Sequence, residues 1–374
     1  MMRRYSLLVF IFLLLLNHAS AQNAPWSGFS IETNAVSGKM IKHTRKFRTD
    51  MPPHSSAYEV NLLLHSYGRK SWQQRRKYPV VGFGLTYTNY GLDSVYGKCF
   101  AIYPNITLPL VKGKHLEWTI RLGFGLGYAT KHFERYPVWD TLNAAIGSAV
   151  NNYTLIMTDL RYRINKHWDV QVGGNFSHMS NAAFRTPNLG INMYGAHVGL
   201  RYSPVTSQPE LIKKNWLPLK NRWLVQARIG VAGTELSAPD GPLYPMYITS
   251  FYVSKRYLSK NKAFAGIDYY YDPHLYAFYR NNEIYVGEEK KHAHFPSIYI
   301  GNEFLFGHVG IFLQAGYYLL NGKEKDTPYY EKIGGNLYII QREKGILKEI
   351  YGSALLKAHL TQAELVELGL GFGF

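Results

Sequence analysis

From His115 to Tyr128 the chain alternates with a period of two. Leu116, Trp118, Ile120, Leu122, Phe124, Leu126 and Tyr128 occupy one parity, and His115, Glu117, Thr119, Arg121, Gly123, Gly125 and Gly127 the other. Side chains of a strand point alternately to its two faces, so one face here is apolar and the other polar or glycine. Trp223, Val225, Ala227, Ile229 and Val231 alternate with Arg222, Gln226, Arg228 and Gly230 in the same way, and Val309, Ile311, Leu313, Ala315 and Tyr317 with His308, Gln314 and Gly316. Segments of about ten residues with aromatic side chains toward their ends are the pattern of strands with one face in lipid and the other in a lumen. The last strand places Val366, Leu368, Leu370, Phe372 and Phe374 on one face, and a terminal Phe on such a strand resembles the C-terminal signal of outer-membrane barrels.

Connections of alternating length give an up-and-down path. Short turns fall near Lys112-Gly113, Asn165-Lys166, Ser259-Lys260 and Phe306-Gly307, and long connections around 129–151, 179–192, 233–245, 273–295 and 321–350. Strand starts near residues 27, 56, 78, 96, 115, 152, 167, 193, 222, 246, 262, 296, 308 and 362 then predict an all-β fold. The expected architecture is one antiparallel up-and-down transmembrane β-barrel of about 12–14 strands over residues 22–374, with long loops outside the cell and short turns in the periplasm. The basic stretch Arg69–Lys77 falls on the periplasmic side and is long for such a turn.

The beginning of the chain reads as an export signal over residues 1–21. Arg3-Arg4 is a basic n-region, Leu7–Leu16 an apolar h-region, and Ala19-Ser20-Ala21 a cleavage site. That apolar run is shorter than the roughly 20 residues a spanning helix needs. No other long apolar run follows, and a closed barrel is the remaining way to satisfy every backbone group in lipid. The expected location is the outer membrane of a Gram-negative-type bacterium. Tyr 31, Phe 19, Trp 7 and Gly 34 fit that reading, and a single cysteine, Cys99, excludes an intramolecular disulfide framework. A net charge of +17 usually suggests nucleic acid. An exported barrel meets little of it, so phosphates of lipopolysaccharide in the outer leaflet are the expected partner, beside the plainer reading of solvated basic loops.

One stretch carries candidate chemistry: Asn175-Phe176-Ser177-His178-Met179-Ser180-Asn181-Ala182, then Pro187-Asn188-Leu189-Gly190-Ile191-Asn192. The strand leading in has Trp168, Val170, Val172 and Phe176 on its apolar face, so His178 and Ser180 continue that face toward lipid. On the returning strand Tyr194, Ala196, Val198, Leu200 and Tyr202 point outward, and Asn192 with them. Polar groups placed there cost on the order of a few kcal/mol when unpaired. A histidine two residues from a serine on one strand face can act as the base that activates the hydroxyl. Loop parity puts the pair at the extracellular end, beside the outer leaflet, so an ester of lipid A is a natural substrate. His and Ser at a strand end also occur in interfacial girdles, which is the competing reading of the pair alone.

The run His178-x-Ser180-Asn181-Ala182 with Pro187-Asn188-x-Gly190-Ile191 resembles the signature of the lipid A 3-O-deacylase family, the PagL type, many relatives of which are described as acyloxyacyl hydrolase-related. The resemblance implies an outer-membrane barrel with an active site on its outer wall. It implies Ser180 as nucleophile, His178 as base, Asn181 as part of an oxyanion hole and Asn188 as support for the site, with no cofactor. Two features depart from the family. Its third member is a Glu fourteen residues after the His, where this chain has Asn192; an amide can orient the imidazole but brings no negative charge. The chain is also long for an eight-stranded barrel, which suggests a wider one with a lumen or plug.

Other candidates are plainer. Asp159 points into the lumen and is a poor substitute for the missing acid. His197 reads as a satisfied interior histidine, and Lys290, Lys291, His292 and His294 as a solvated basic loop in preference to a phosphate or metal site. Gly123, Gly125 and Gly127 form an interior row, since no helix follows to make a dinucleotide site. No metal is implied. The second functional class is a non-enzymatic barrel, a channel or a surface-binding protein. Arg121, Arg161, Arg163, Arg201, Arg222 and Arg228 all alternate inward, where they either line a polar lumen or pair with interior acids.

Overall fold

A computed structural model describes residues 26–374 apart from 43–46, 48, 139–140, 206–209, 216–221, 236–240, 322–324, 326 and 361. The export segment expected at residues 1–21 lies outside the described residues. The described chain forms β1 (Phe29–Ile41), β2 (Ser55–His65), β3 (Val80–Asn89), β4 (Lys98–Lys112), β5 (Leu116–Ala129), β6 (Val150–Arg163), β7 (Trp168–Ser180) and β8 (Ile191–Tyr202). These are followed by β9 (Trp223–Glu235), β10 (Leu243–Tyr257), β11 (Asn261–Tyr271), β12 (His294–Phe306), β13 (Val309–Tyr318), β14 (Tyr329–Gln341), β15 (Glu349–His359) and β16 (Gln362–Gly373). Three short helices sit in connections: α1 (Ser71–Arg75), α2 (Pro273–Asn281) and α3 (Glu289–His292).

The strands close twice. β8 returns to β1 through pairs running from Ile31↔Tyr202 to Ile41↔Asn192, and β16 returns to β9 from Glu367↔Ala232 to Gly373↔Gln226. The result is two closed antiparallel barrels of eight strands each. The expectation of an all-β antiparallel barrel therefore holds, while the single wide cylinder of 12–14 strands is corrected to two narrow ones. All fourteen expected starts lie within three residues of an observed strand. Two strands were missed: β14 lies inside the stretch read as a long 321–350 connection, and β15 begins at its end. Their alternation is blurred. β14 presents exposed Glu331 outward and carries Gly334-Gly335, and β15 buries Tyr351 and Leu355 inside while Ala354 and Gly352 face out. With apolar residues on both faces, the period-two signal fades.

Outward faces are apolar as expected. Leu116, Trp118, Phe124, Leu126 and Tyr128 are all exposed, as are Trp223, Val225, Ile229 and Val231 on the second barrel. A continuous apolar exterior of this size is not sustained in water and suits hydrocarbon. The row Gly123, Gly125 and Gly127 lies inside, and a Cβ at Gly123 or Gly125 would stand 2.7 Å from atoms of Tyr103, which is fully buried.

Both lumens are filled with paired charges. In the first barrel Arg121 bridges Glu32 at 2.6 Å and Glu59 at 3.3 Å, and Arg201 takes the other oxygen of Glu32 at 2.6 Å. His197 Nε2 meets Asp159 Oδ1 at 2.7 Å, so His197 is the satisfied interior histidine expected and Asp159 faces inward. In the second barrel Lys332 lies between Asp268 at 2.8 Å and Glu367 at 2.9 Å, and Arg228 also pairs with Glu367. Of the alternating arginines, Arg161 pairs with Glu117, Arg163 with Asp169 and Arg222 with Glu349. The interior acids thus take up the inward arginines, which favours packed interiors over a water-filled pore. Deep charges are tolerated because each has an opposite partner and further hydrogen bonds.

The connections after β1, β3, β5 and β7 lie at one end of the first barrel, and those after β9, β11, β13 and β15 at one end of the second. The connection 203–222, not singled out from sequence, passes from β8 to β9 at the other end. It docks where Ile212 N–H donates to Tyr67 O at 2.8 Å, on the connection after β2. The basic stretch Arg69–Lys77 lies in that same connection and contains α1. Arg76 donates to Lys260 O at 2.6 Å and Leu305 O at 3.2 Å, and its guanidinium sits 4.4 Å from the Phe306 ring centre. This segment therefore ties the first barrel to the second.

Replacing Arg121 with Leu takes the ion-pair partner from Glu59 and leaves Glu32 with Arg201 in the lumen. The expected outcome in a denaturant titration of the protein folded in lipid vesicles is a loss of about 3 kcal/mol or more. Purified protein in planar bilayers is expected to give no large, stable conductance steps.

Candidate active site

β7 carries the site because its parity is fixed from both sides. Met179 is buried in the lumen, where Cys99 Sγ lies 3.5 Å from its sulfur, and Ser177 is buried beside it. His178 and Ser180 therefore stand on the outer face, on which Phe176 and Val172 also lie. β8 is paired so that Asn192 is directly opposite His178. Met193 is buried inside and Tyr194 exposed outside, so Asn192 shares the outer face. Three polar side chains expected to face outward are thus brought together by one strand and one cross-strand pair.

Their geometry is tight. His178 Nε2 lies 2.9 Å from Ser180 Oγ, and His178 Nδ1 lies 2.6 Å from Asn192 Oδ1. An amide oxygen only accepts, so Nδ1 carries the proton and donates to Asn192, leaving Nε2 to accept from the Ser180 hydroxyl. Ser180 and Asn192 are buried and His178 is half-buried. The cost of holding polar groups away from water is offset by these mutual bonds.

The connection from β7 to β8 covers this trio. Asn181 N–H donates to Asn188 Oδ1 at 3.0 Å, and Asn181 Nδ2 donates to Ser148 Oγ at 2.9 Å. Arg185 N–H reaches Asn181 Oδ1 at 3.4 Å. Asn188 forms a β-bridge with Ile146, and Gly190 N–H donates to Ala145 O at 2.8 Å. Asn188 thus supports the loop by holding the backbone of Asn181. The Asn181 amide spends one of its two Nδ2 hydrogens on Ser148. Gly190 has φ +74°, and a Cβ there would stand 2.9 Å from His178 Cε1 and 3.6 Å from Ser180 Cβ. Only glycine lets the backbone approach the imidazole this closely.

The weaker candidates stay apart from the trio. His292 stacks on Tyr285 with ring centres 3.6 Å apart, and His294 Nδ1 meets Tyr269 OH at 2.7 Å. Among the described residues no group of three or more His, Cys, Asp or Glu side chains is placed to hold a metal.

Family comparison extends the resemblance well beyond the motif. Residues 56–201 match the family described as lipid A 3-O-deacylase (PagL), and residues 221–374 match the acyloxyacyl hydrolase C-terminal domain. The chain belongs to the lipid A 3-O-deacylase family. It is accordingly an ester hydrolase of the bacterial outer membrane. The first match spans β2 to β8 and the second the whole of β9 to β16, so the boundary between them coincides with the boundary between the barrels. No curated protein matches the chain. Among solved structures, the outer-membrane enzyme PagL is 17% identical with a TM-score of 0.32, covering 45% of this chain and 97% of that one. Neisserial surface protein A is 13% identical with a TM-score of 0.31, covering 47% and 97%. A mutant of the Rh. blastica porin is 8% identical with a TM-score of 0.17, covering 92% and 99%. Scores this low carry no argument, and the fold stands on the strand pairing described above. The family's departure in size is resolved by that pairing: the extra length makes a second barrel, so the wider barrel with a lumen or plug is corrected.

Sequence reading missed Ser148 as the partner of Asn181 and gave Gly190 no role beyond the motif. A glycine two residues before the outward Asn192 was the available signal for Gly190. Nothing near Ser148 in sequence marks it. Gly190→Ala is expected to push the His178 ring away from Ser180 and to lower kcat about a hundredfold with the barrel still folded. Turnover of purified lipid A, compared with heat-modified gel mobility as a check on folding, measures both.

Proposed function

We propose that Ser180 is the nucleophile that removes an ester-linked acyl chain from lipid A at the lipid-facing wall of the first barrel. The observation that carries this reading is the chain of hydrogen bonds Ser180–His178–Asn192 on the outer face, with His178 Nε2 within hydrogen-bond distance of the hydroxyl whose proton it would take. Ser180 Oγ attacks the ester carbonyl carbon as its proton passes to His178 Nε2. The carbonyl oxygen becomes an oxyanion, and the second amide hydrogen of Asn181 is the nearby donor this reading assigns to it. Collapse of the tetrahedral intermediate breaks the bond to the sugar oxygen, which takes the proton back from His178. Water then attacks the acyl-serine, His178 again accepting a proton, and the products are a free fatty acid and lipid A lacking one chain. The family description supports the 3-O position as the one cleaved.

Asn192 fixes the tautomer of His178 but brings no charge to the imidazolium formed in the transition state. This reading therefore gives a slower enzyme than one with a carboxylate at that position.

Lipid A from cells producing the wild-type chain is expected to lack one ester-linked acyl chain by mass spectrometry, and lipid A from cells producing Ser180→Ala to retain it. If the wild-type chain also leaves every ester intact, the reading is wrong. Asn192→Ala is expected to lower kcat about a hundredfold with KM little changed, since it releases the imidazole without touching the acyl chain.

A further inference from the structure

The loop between Ser180 and Asn192 is held from the other barrel. Glu235 is the last residue of β9, and its side chain has no exposure. A carboxylate in such a place has to be paired. Its partners are side chains and backbone of the first barrel. Arg135 Nη2, from the connection between β5 and β6, lies 2.7 Å from Oε2, and Arg185 Nη1 lies 3.0 Å from Oε1. The Thr186 N–H also donates to Oε2, as does its hydroxyl at 3.0 Å. The backbone joins in: Glu235 N–H donates to Ala183 O at 3.3 Å, and the Phe184 ring lies so close to Gly233 that a Cβ there would stand 3.2 Å from it.

Residues 183–186 belong to the same short loop as the site. Arg185 N–H donates to Asn181 Oδ1, and Asn188, two residues beyond Thr186, holds Asn181 N–H. Arg135 Nη2 also donates to Thr186 O at 2.6 Å, so its guanidinium bridges the loop to Glu235. Gly190, at the end of the loop, rests against the imidazole of His178. A shift at Thr186 is therefore passed in a few residues to Asn181, Asn188 and Gly190. At the opposite end of the barrels Arg76 is bound to Lys260 O, Leu305 O and Asn261 Oδ1, which fixes the second barrel independently of Glu235.

We propose that Glu235 is a positioning residue for the active site of the first barrel, so that the two barrels work as one enzyme. This rests on the reading of Ser180 as nucleophile. The role of the second barrel is then to set the conformation of the loop that covers the His178–Ser180 pair.

The test uses the full-length chain in detergent micelles with purified lipid A, together with the rate at which a small fluorophosphonate labels Ser180. Glu235→Ala is expected to lower kcat and the labelling rate together by about tenfold or more, with KM within about twofold of wild type. Heat-modified gel mobility should be unchanged. Arg76→Ala, which loosens only the far tether, is expected to keep kcat within about twofold of wild type. Wild-type kcat and labelling in Glu235→Ala would overturn the proposal. So would an equal loss in Arg76→Ala, which would make docking in general the cause. If Glu235→Ala fails to fold, Glu235→Gln carries the test, because it keeps an acceptor for Thr186 while removing the charge opposite both arginines. It is expected to move kcat in the same direction by less, and a wild-type value overturns the proposal. If the wild-type chain neither cleaves lipid A nor takes up the phosphonate, the reading of Ser180 fails first and this one with it.

Discussion

Strands in hydrocarbon have no water to satisfy an open edge, and the closure of each eight-strand ladder is the constraint on which the rest of this structure depends. β8 must find β1, and β16 must find β9. Once those seams close, each strand's register is set, and with it the face on which every side chain lies. A slip of one residue in β7 would send His178 and Ser180 into the lumen and Met179 into lipid. Asp169 and Gln171 oppose such a slip, because it would carry a carboxylate paired with Arg163 and an amide bonded to Asn34 to the hydrocarbon face.

The site uses the constraint economically. Two members stand two residues apart on one strand, and the third is supplied by the neighbouring strand at the directly paired position. No long loop has to fold to bring the three together. What a loop does supply is cover, and here it is short, cross-linked by Asn181 and Asn188, and closed by a glycine that lets the backbone lie against the imidazole. In an apolar surrounding a polar trio is stable only when its members bond one another, so the arrangement suited to proton transfer is also the one that limits the desolvation cost.

The second barrel answers the question raised by the chain's length. Its interior is filled by Lys332, Asp268, Glu367 and Arg228, and its wall is apolar, so it is a complete barrel in itself. It meets the first barrel at both ends, through Glu235 among the long loops and through Arg76 among the short turns. The basic stretch at residues 69–77, without a role in sequence, proves to be one of these two tethers. Within it Arg75 and Arg76 donate to backbone carbonyls of the second barrel, and Arg76 also lies over an aromatic ring.

The alternation in the sequence determined by itself that this is an all-β chain with an apolar exterior. It also located fourteen of the strands and placed His178, Ser180 and Asn192 on one outward face, because period two is a local property of each strand and needs no partner to be read. Where both faces carry apolar or small side chains, as on β15, the same signal disappears. The tertiary structure alone decided how many barrels the strands make, since closure depends on which distant strand completes the ladder, and alternation is the same for every choice. It alone decided that the interior arginines are neutralised, that Gly190 abuts His178, and that Glu235 grips the loop above Ser180. Each of these is a contact between residues far apart in the chain, and a residue's own neighbours carry no record of it.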